Sequence, residues 1–284
     1  VHDDVVAELV AEQFPQWANR PLTRVRSTGT DNLVFRLGDD MCVRVPRIDW
    51  AVGQVAKEWE WLPRLAPFLP VAVPCPVAVG EPGCGFPHRW LVSRWLPGED
   101  ATSAHTDPRR LARDVAAFVV ALESIAVDAE APQGGRSGSL EARDDETRVA
   151  IAEMAGSIDA GRAIDVWDAG LRAIPWRRDP VWCHGDLLPG NLVVDDGGLA
   201  GVVDWAAAGV GDPACDAMVA WAMPPDARAV FRGAWGADDA TWVRGRAWAL
   251  SQAARFIPYY ADTIPSAVAG ARHRLDAILG VKDT

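Results

Sequence analysis

No apolar run in this sequence approaches the roughly 18 residues that a membrane-crossing helix needs; the best, Val115 to Leu122, is closed off by Asp114 and Glu123. No membrane partner is expected. The five cysteines (Cys42, Cys75, Cys84, Cys183 and Cys215) are an odd number without a CxxC pair, and the five histidines form no HExxH. Neither a disulfide framework nor a structural zinc site is indicated. Positive charge is scarce: 28 Lys plus Arg stand against 39 Asp plus Glu, for a formal net charge of -11. That balance argues against a nucleic-acid partner and favours a cationic or neutral one. The start, Val1-His2-Asp3-Asp4, lacks the basic residues and apolar run of a signal peptide, so a cytoplasmic location is the expectation.

What is present is the composition of an ordinary globular protein, 49% hydrophobic and 24% charged, enough to bury one or two cores. The first third reads as strands. Leu33 to Leu37 and Met41 to Val45 are two β-rich runs around Gly38-Asp39-Asp40, which predicts a hairpin. Val52, Val55, Trp59, Leu62 and Ala66 then recur at spacings of three and four, which predicts an amphipathic helix over 52–66 in spite of Pro63. Strands are expected at 77–79 and 90–92, and Pro97-Gly98 breaks the chain. Beyond it, Asp107-Pro108 starts a helix whose face is Leu111, Val115, Phe118, Leu122 and Ile125.

Charge divides the chain at the same place. Residues 1–97 hold ten basic and eleven acidic side chains, and residues 98–284 hold eighteen and twenty-eight. A small near-neutral β-rich lobe over 1–97 and a larger acidic helical lobe over 98–284 are expected, with a ligand cleft between them. The run Pro132 to Gly138, with three glycines, is expected to be a surface loop.

The residues with chemical potential lie in Val181-Trp182-Cys183-His184-Gly185-Asp186-Leu187-Leu188-Pro189-Gly190-Asn191, followed by two apolar runs around Asp195-Asp196-Gly197-Gly198 and then Asp204. Folding those runs as a hairpin is expected to bring Asp204 near Asp186 and Asn191. Taken singly, each is an ordinary turn residue. Together, two carboxylates and an amide oxygen are hard ligands that suit Mg²⁺, and the combination fits phosphoryl transfer.

The pattern HGDxxxxN with a later Asp after a hydrophobic strand resembles the aminoglycoside phosphotransferase and choline kinase-like family, relatives of the protein kinases, over nearly the whole chain. The resemblance implies an α+β, bilobal protein-kinase-like fold, with an antiparallel sheet and one helix in the first lobe and a mostly α-helical second lobe. It implies Asp186 as the catalytic base, Asn191 and Asp204 as magnesium ligands, His184 as support for the loop, and ATP or GTP with Mg²⁺ as cofactors. Ser27, Thr28, Gly29 and Thr30 stand where the family has its nucleotide loop, although a single glycine is not GxGxxG; an ordinary turn is the alternative. Arg44 occupies the position of the family's usual lysine. It keeps the charge and can grip phosphate as a fork, but the two side chains are not interchangeable.

On the following helix, Glu58 lies at the margin of the apolar face and is the expected ion-pair partner of Arg44, whereas Glu60 points to solvent. Ser93, Arg94 and Trp95 sit where kinase-like proteins meet the adenine edge with backbone groups. Asp212 and Asp216, after the metal Asp, are read as scaffolding.

The acceptor is open at this level. An acidic second lobe favours a polycation, and an aminoglycoside is the expected small-molecule acceptor, with Glu141, Asp144, Asp145, Glu146, Tyr259, Tyr260 and Asp262 as candidate contacts. The alternatives are a kinase of the same fold for choline, homoserine, a methylthioribose-like sugar or a macrolide, and a weakly active nucleotide-binding module, prompted by Arg44.

Overall fold

The computed structural model describes residues 2–25 and 31–280 and divides the chain into two compact units. The first comprises Val1–Gly98 and Ala200–Ala206, and the second Glu99–Leu199 and Ala207–Thr284.

In the first unit, helix α1 (Asp3–Gln13) precedes strands β1 (Leu22–Arg24), β2 (Asn32–Leu37) and β3 (Met41–Pro46). Helix α2 (Asp49–Leu65), β4 (Pro76–Gly80) and β5 (Trp90–Arg94) follow. The five strands form one antiparallel sheet in the order β1-β2-β3-β5-β4. The hairpin register pairs Phe35 with Val43 and Val34 with Arg44, which puts Phe35, Val43 and Val45 into the core and leaves Arg44 on the other face.

Helix α1 is a correction to the reading of the first third as strands. Asp3 and Asp4 favour its N-terminus, and Val6, Leu9 and Val10 lie together on one side, packed with Phe35, Leu37, Phe86 and Trp90. The face of α2 also differs from expectation. Val55 and Leu62 are buried, but Trp59 is 46% exposed and its place is taken by Ala51, Trp61 and Leu65. This rotation carries Glu58 from the margin into the middle of the buried face, at 2% exposure.

The second unit begins with β6 (Glu99–Asp100) and α3 (Pro108–Glu123), followed by α4 (Asp144–Glu153), α5 (Ala160–Arg172) and β7 (Val181–Cys183). The chain continues through β8 (Leu192–Asp195), β9 (Gly198–Val202) and β10 (Gly209–Gly211). Helices α6 (Pro225–Trp235), α7 (Asp239–Tyr260) and α8 (Pro265–Gly280) complete it. The Asp107 carboxylate caps α3 by accepting Arg109 N–H at 2.9 Å, as the Asp-Pro start predicts. The core gathers Trp167 of α5, Trp248, Leu250 and Ile257 of α7, and Ala271, Leu275 and Ile278 of α8. Trp90, Trp167, Trp182, Trp205 and Trp221 are all fully buried, so much of the tryptophan surplus is core material. No described helix is long and apolar enough to cross a membrane.

Candidate active site

Strand β7 pairs with β10, and the chain leaves β7 directly into His184-Gly185-Asp186. This loop is held from beneath by Asp216, fully buried in the 3-10 segment Pro213–Ala222. One Asp216 oxygen accepts the His184 N–H at 2.8 Å and the other the Gly185 N–H at 2.7 Å. Burial pushes the Asp216 carboxyl up to about 6, against the pull of those two donors. Gly185 has φ +75, and a Cβ there would lie 2.9 Å from the Ala207 carbonyl oxygen, so this position needs glycine twice over. The buried His184 accepts the Asp186 N–H through Nδ1 at 3.2 Å. Asn191 closes the loop, its Nδ2 donating to the Asp186 carbonyl at 2.9 Å and lying 3.4 Å from Asp186 Oδ2.

The run Pro132 to Gly138 is more than a surface loop. Gly134 N–H donates to Val210 O at 3.1 Å, Gly135 N–H to Ala207 O at 2.9 Å, and the buried Ser137 hydroxyl to Val210 O at 2.8 Å. A Cβ on Gly209 would lie 2.5 Å from Gly134 N, which shows how closely the two backbones approach. From this run Arg136 reaches the His184–Asp186 loop: its Nη1 donates to the Gly185 carbonyl at 3.1 Å and pairs with Asp186 Oδ1 at 2.5 Å.

The first unit holds a second charged cluster. Arg44 Nη1 and Glu58 Oε2 form an ion pair, and Lys57 Nζ donates to the Ala206 carbonyl, two residues past Asp204. Burial opposes the charge on Arg44, and the nearby Glu58 and Asp204 outweigh it. Burial likewise pushes the Glu58 carboxyl up while Arg44 pulls it down, and it drives Lys57 down to about 8. Asp204 has φ +63, a left-handed conformation that a non-glycine residue adopts at a cost.

The structure thus brings Asp186 and Asn191 together in the second unit, and Arg44 and Glu58 together with Asp204 in the first. Asn191 donates through Nδ2, so its amide oxygen is the end that could take a metal, and Asp204 offers a carboxylate; both are oxygen ligands of the type Mg²⁺ takes. Ser27, Thr28, Gly29 and Thr30 lie outside the described residues.

The other expected residues are placed as follows. Ser93 is fully buried inside β5; Arg94 N–H donates to Cys75 O and Trp95 N–H to Asp40 O, both at 2.9 Å. These two N–H groups are bonded within the first unit. Asp144 is committed to structure, accepting Arg148 Nε at 2.7 Å and Trp167 Nε1 at 2.6 Å. Glu146 pairs with Arg255 at 3.0 Å. Glu141, Asp145, Tyr259 and Asp262 are exposed, and Tyr260 packs between Phe256 and Tyr259.

Arg136 and Lys57 were missed by the sequence reading. An arginine inside a glycine-rich run was a usable signal, since small residues permit close backbone approach. Lys57 is the one lysine among the described residues, its only companion being Lys282.

A model of the phosphotransferase enzyme family matches residues 23–248. An aminoglycoside 3'-phosphotransferase of Streptomyces fradiae is 32% identical over 176 residues, which cover 58% of this chain and 62% of that protein. The chain thus spans less than two thirds of that relative's length. A second aminoglycoside 3'-phosphotransferase, from Escherichia coli, is 39% identical over 59 residues, 21% of this chain and 22% of that protein. Among solved structures, the GDP complex of aminoglycoside 2'-phosphotransferase-IIIa superposes with a TM-score of 0.75 at 16% identity, covering 99% of both chains. A macrolide 2'-phosphotransferase from Brachybacterium faecium gives 0.63 at 23% identity, again over 99% of both. At these identities the likeness is one of fold, and that fold is protein-kinase-like. With the family model matched over most of its length and the kinase-like fold beneath it, the chain belongs to the phosphotransferase enzyme family.

Proposed function

We propose that this protein transfers the terminal phosphate of ATP or GTP to a hydroxyl of a cationic small molecule, an aminoglycoside, in the cytoplasm. The observation that carries the reading is the Asp186 loop: Asp186 is held through its backbone N–H by His184 and through its carbonyl by Asn191, beside His184 and Gly185 N–H groups that Asp216 fixes. Asp186 accepts the acceptor hydroxyl's proton as that oxygen attacks the phosphoryl group. Asn191 and Asp204 are the residues that hold magnesium, which when bound neutralises charge on the nucleotide phosphates. Arg44, oriented by Glu58, grips phosphate oxygens, and its fork geometry suits that task.

The aminoglycoside acceptor is supported by what the curated relatives are named and by kanamycin in the complex of one structural neighbour. A macrolide acceptor is the second reading. It is favoured by the arginines around the loop, since Arg136 pairs with Asp186 and Arg143 donates to Gly135 O, which makes the neighbourhood less anionic than the sequence implies. The test is nucleoside-diphosphate release with Mg²⁺ across a panel of aminoglycosides, macrolides and small alcohols. Release dependent on an aminoglycoside is expected. Release with a macrolide or simple alcohol alone would replace this acceptor, and release with none would overturn the kinase reading.

A further inference from the structure

Asp186 Oδ1 is buried. The Arg136 guanidinium nitrogen that pairs with it also holds the carbonyl of the preceding Gly185, so one side chain ties the carboxylate to the backbone that carries it. Arg136 is itself placed by its neighbours. Gly134, Gly135 and Ser137 are all bonded to residues 207–210, Asp212 N–H donates to Ser137 O at 2.8 Å, and Arg143 Nη2 to Gly135 O at 2.9 Å. The pair is partly enclosed, with 30% of the Arg136 and 19% of the Asp186 side chain exposed, so it is less screened than a surface ion pair. Behind it, Arg274 is buried and feels the Asp186 charge, but its Nη2 is bonded to Gln252 Oε1 at 2.9 Å. Arg136 is thus ion-paired with Asp186 from a position fixed by its own neighbours.

We infer that Arg136 is a positioning residue for the proposed phosphotransfer, setting the rotation of the Asp186 carboxylate so that Oδ2, the oxygen on the Asn191 side, is the one presented to the acceptor hydroxyl. This inference rests on the function proposed above. A carboxylate turns easily about its terminal bond, and a base contributes only when an oxygen lies within hydrogen-bond reach of the proton it takes. The contact to Oδ1, from a run pinned at Gly134, Gly135 and Ser137, removes that freedom before substrate arrives.

The test uses the full chain with an acceptor that the parent phosphorylates. Arg136→Ala is expected to lower kcat by about 10- to 100-fold with both KM values within about twofold. Arg136→Lys should recover part of the loss. Added guanidinium ion should raise kcat of Arg136→Ala and leave Asp186→Asn unchanged, which lost packing would not reproduce. Parent-like kcat in Arg136→Ala, or a rise in KM alone, overturns the inference. A second measurement does not need turnover: in a cycle of Arg136→Ala, Asp186→Asn and the double variant, the Tm losses should be less than additive. Additive losses overturn the pairing even if no acceptor is found, whereas coupled losses in a protein without kinase activity would count against the proposed function alone.

Discussion

The Arg44 guanidinium and the Glu58 carboxylate meet as an ion pair whose side chains are 12% and 2% exposed, joining strand β3 to helix α2. Such a pair earns little net stability over an apolar one, but breaking it strands a buried charge at a cost of about 3–5 kcal/mol. Arg44→Ala should therefore destabilise the protein by roughly that amount and raise the nucleotide KM. Arg44→Lys keeps the charge without the fork and should lose less of both. Urea unfolding and nucleotide titration measure the two effects; parity of Arg44→Ala with the parent in both would assign the phosphates to another cation.

Each Asp216 oxygen holds a backbone N–H of the loop that leads into Asp186. An asparagine can accept only one of them and turns an NH₂ toward the other. Asp216→Asn is expected to cost about 1–3 kcal/mol in stability. It should reduce kcat by about 10-fold or more through displacement of Asp186. Unchanged turnover at a lowered Tm would make the contact purely structural.

Glu123, at the end of α3, accepts Trp235 Nε1 at 2.8 Å, and burial pushes its carboxyl up to about 7. The folded protein thus holds this proton more tightly than the unfolded chain. Its contribution to stability is full below the unfolded value near 4.5 and is lost as pH rises through about 7. Glu123→Gln keeps an acceptor for Trp235 without the charge. It should be more stable than the parent at pH 8, by about 1–3 kcal/mol given partial solvent screening, with the difference vanishing toward pH 4. Thermal unfolding across that range measures it; a difference independent of pH would show that Glu123 does not titrate there.

The antiparallel hairpin of β2 and β3, helix α3 with its Asp107 cap and the β8–β9 hairpin before Asp204 were legible because each rests on local signals: alternation, a cap, a spacing. The rotation of α2 was not, because Ala51, Glu58 and Trp61 reach their positions through packing against the sheet, and tertiary burial outranks the apolarity of Trp59. Arg136 escaped for a related reason. Its partner lies 49 residues on, and only the hydrogen bonds of Gly134, Gly135 and Ser137 to residues 207–210 make that run a clamp. Among the candidate acceptor contacts, the bonds of Asp144 to Arg148 and Trp167 and of Glu146 to Arg255 were not legible either, because the partners come from other turns and helices.

Salt separates the two acceptor readings. Attraction of a polycation weakens as the Debye length falls from about 10 Å at 0.1 M salt to about 3 Å at 1 M. An aminoglycoside KM should therefore climb with NaCl more steeply than the nucleotide KM, and Glu141→Gln with Asp145→Asn should flatten that slope if those exposed carboxylates receive the acceptor. A macrolide, carrying less charge, should show little slope.

The central claim is that Asp186 is the base of a phosphoryl transfer. Its most direct test is steady-state turnover of Asp186→Asn against the parent, with Mg²⁺, a saturating nucleoside triphosphate and the best acceptor of the panel. The account predicts kcat lowered by about 10²- to 10⁴-fold with the nucleotide KM nearly unchanged. Turnover within a few-fold of the parent would contradict it.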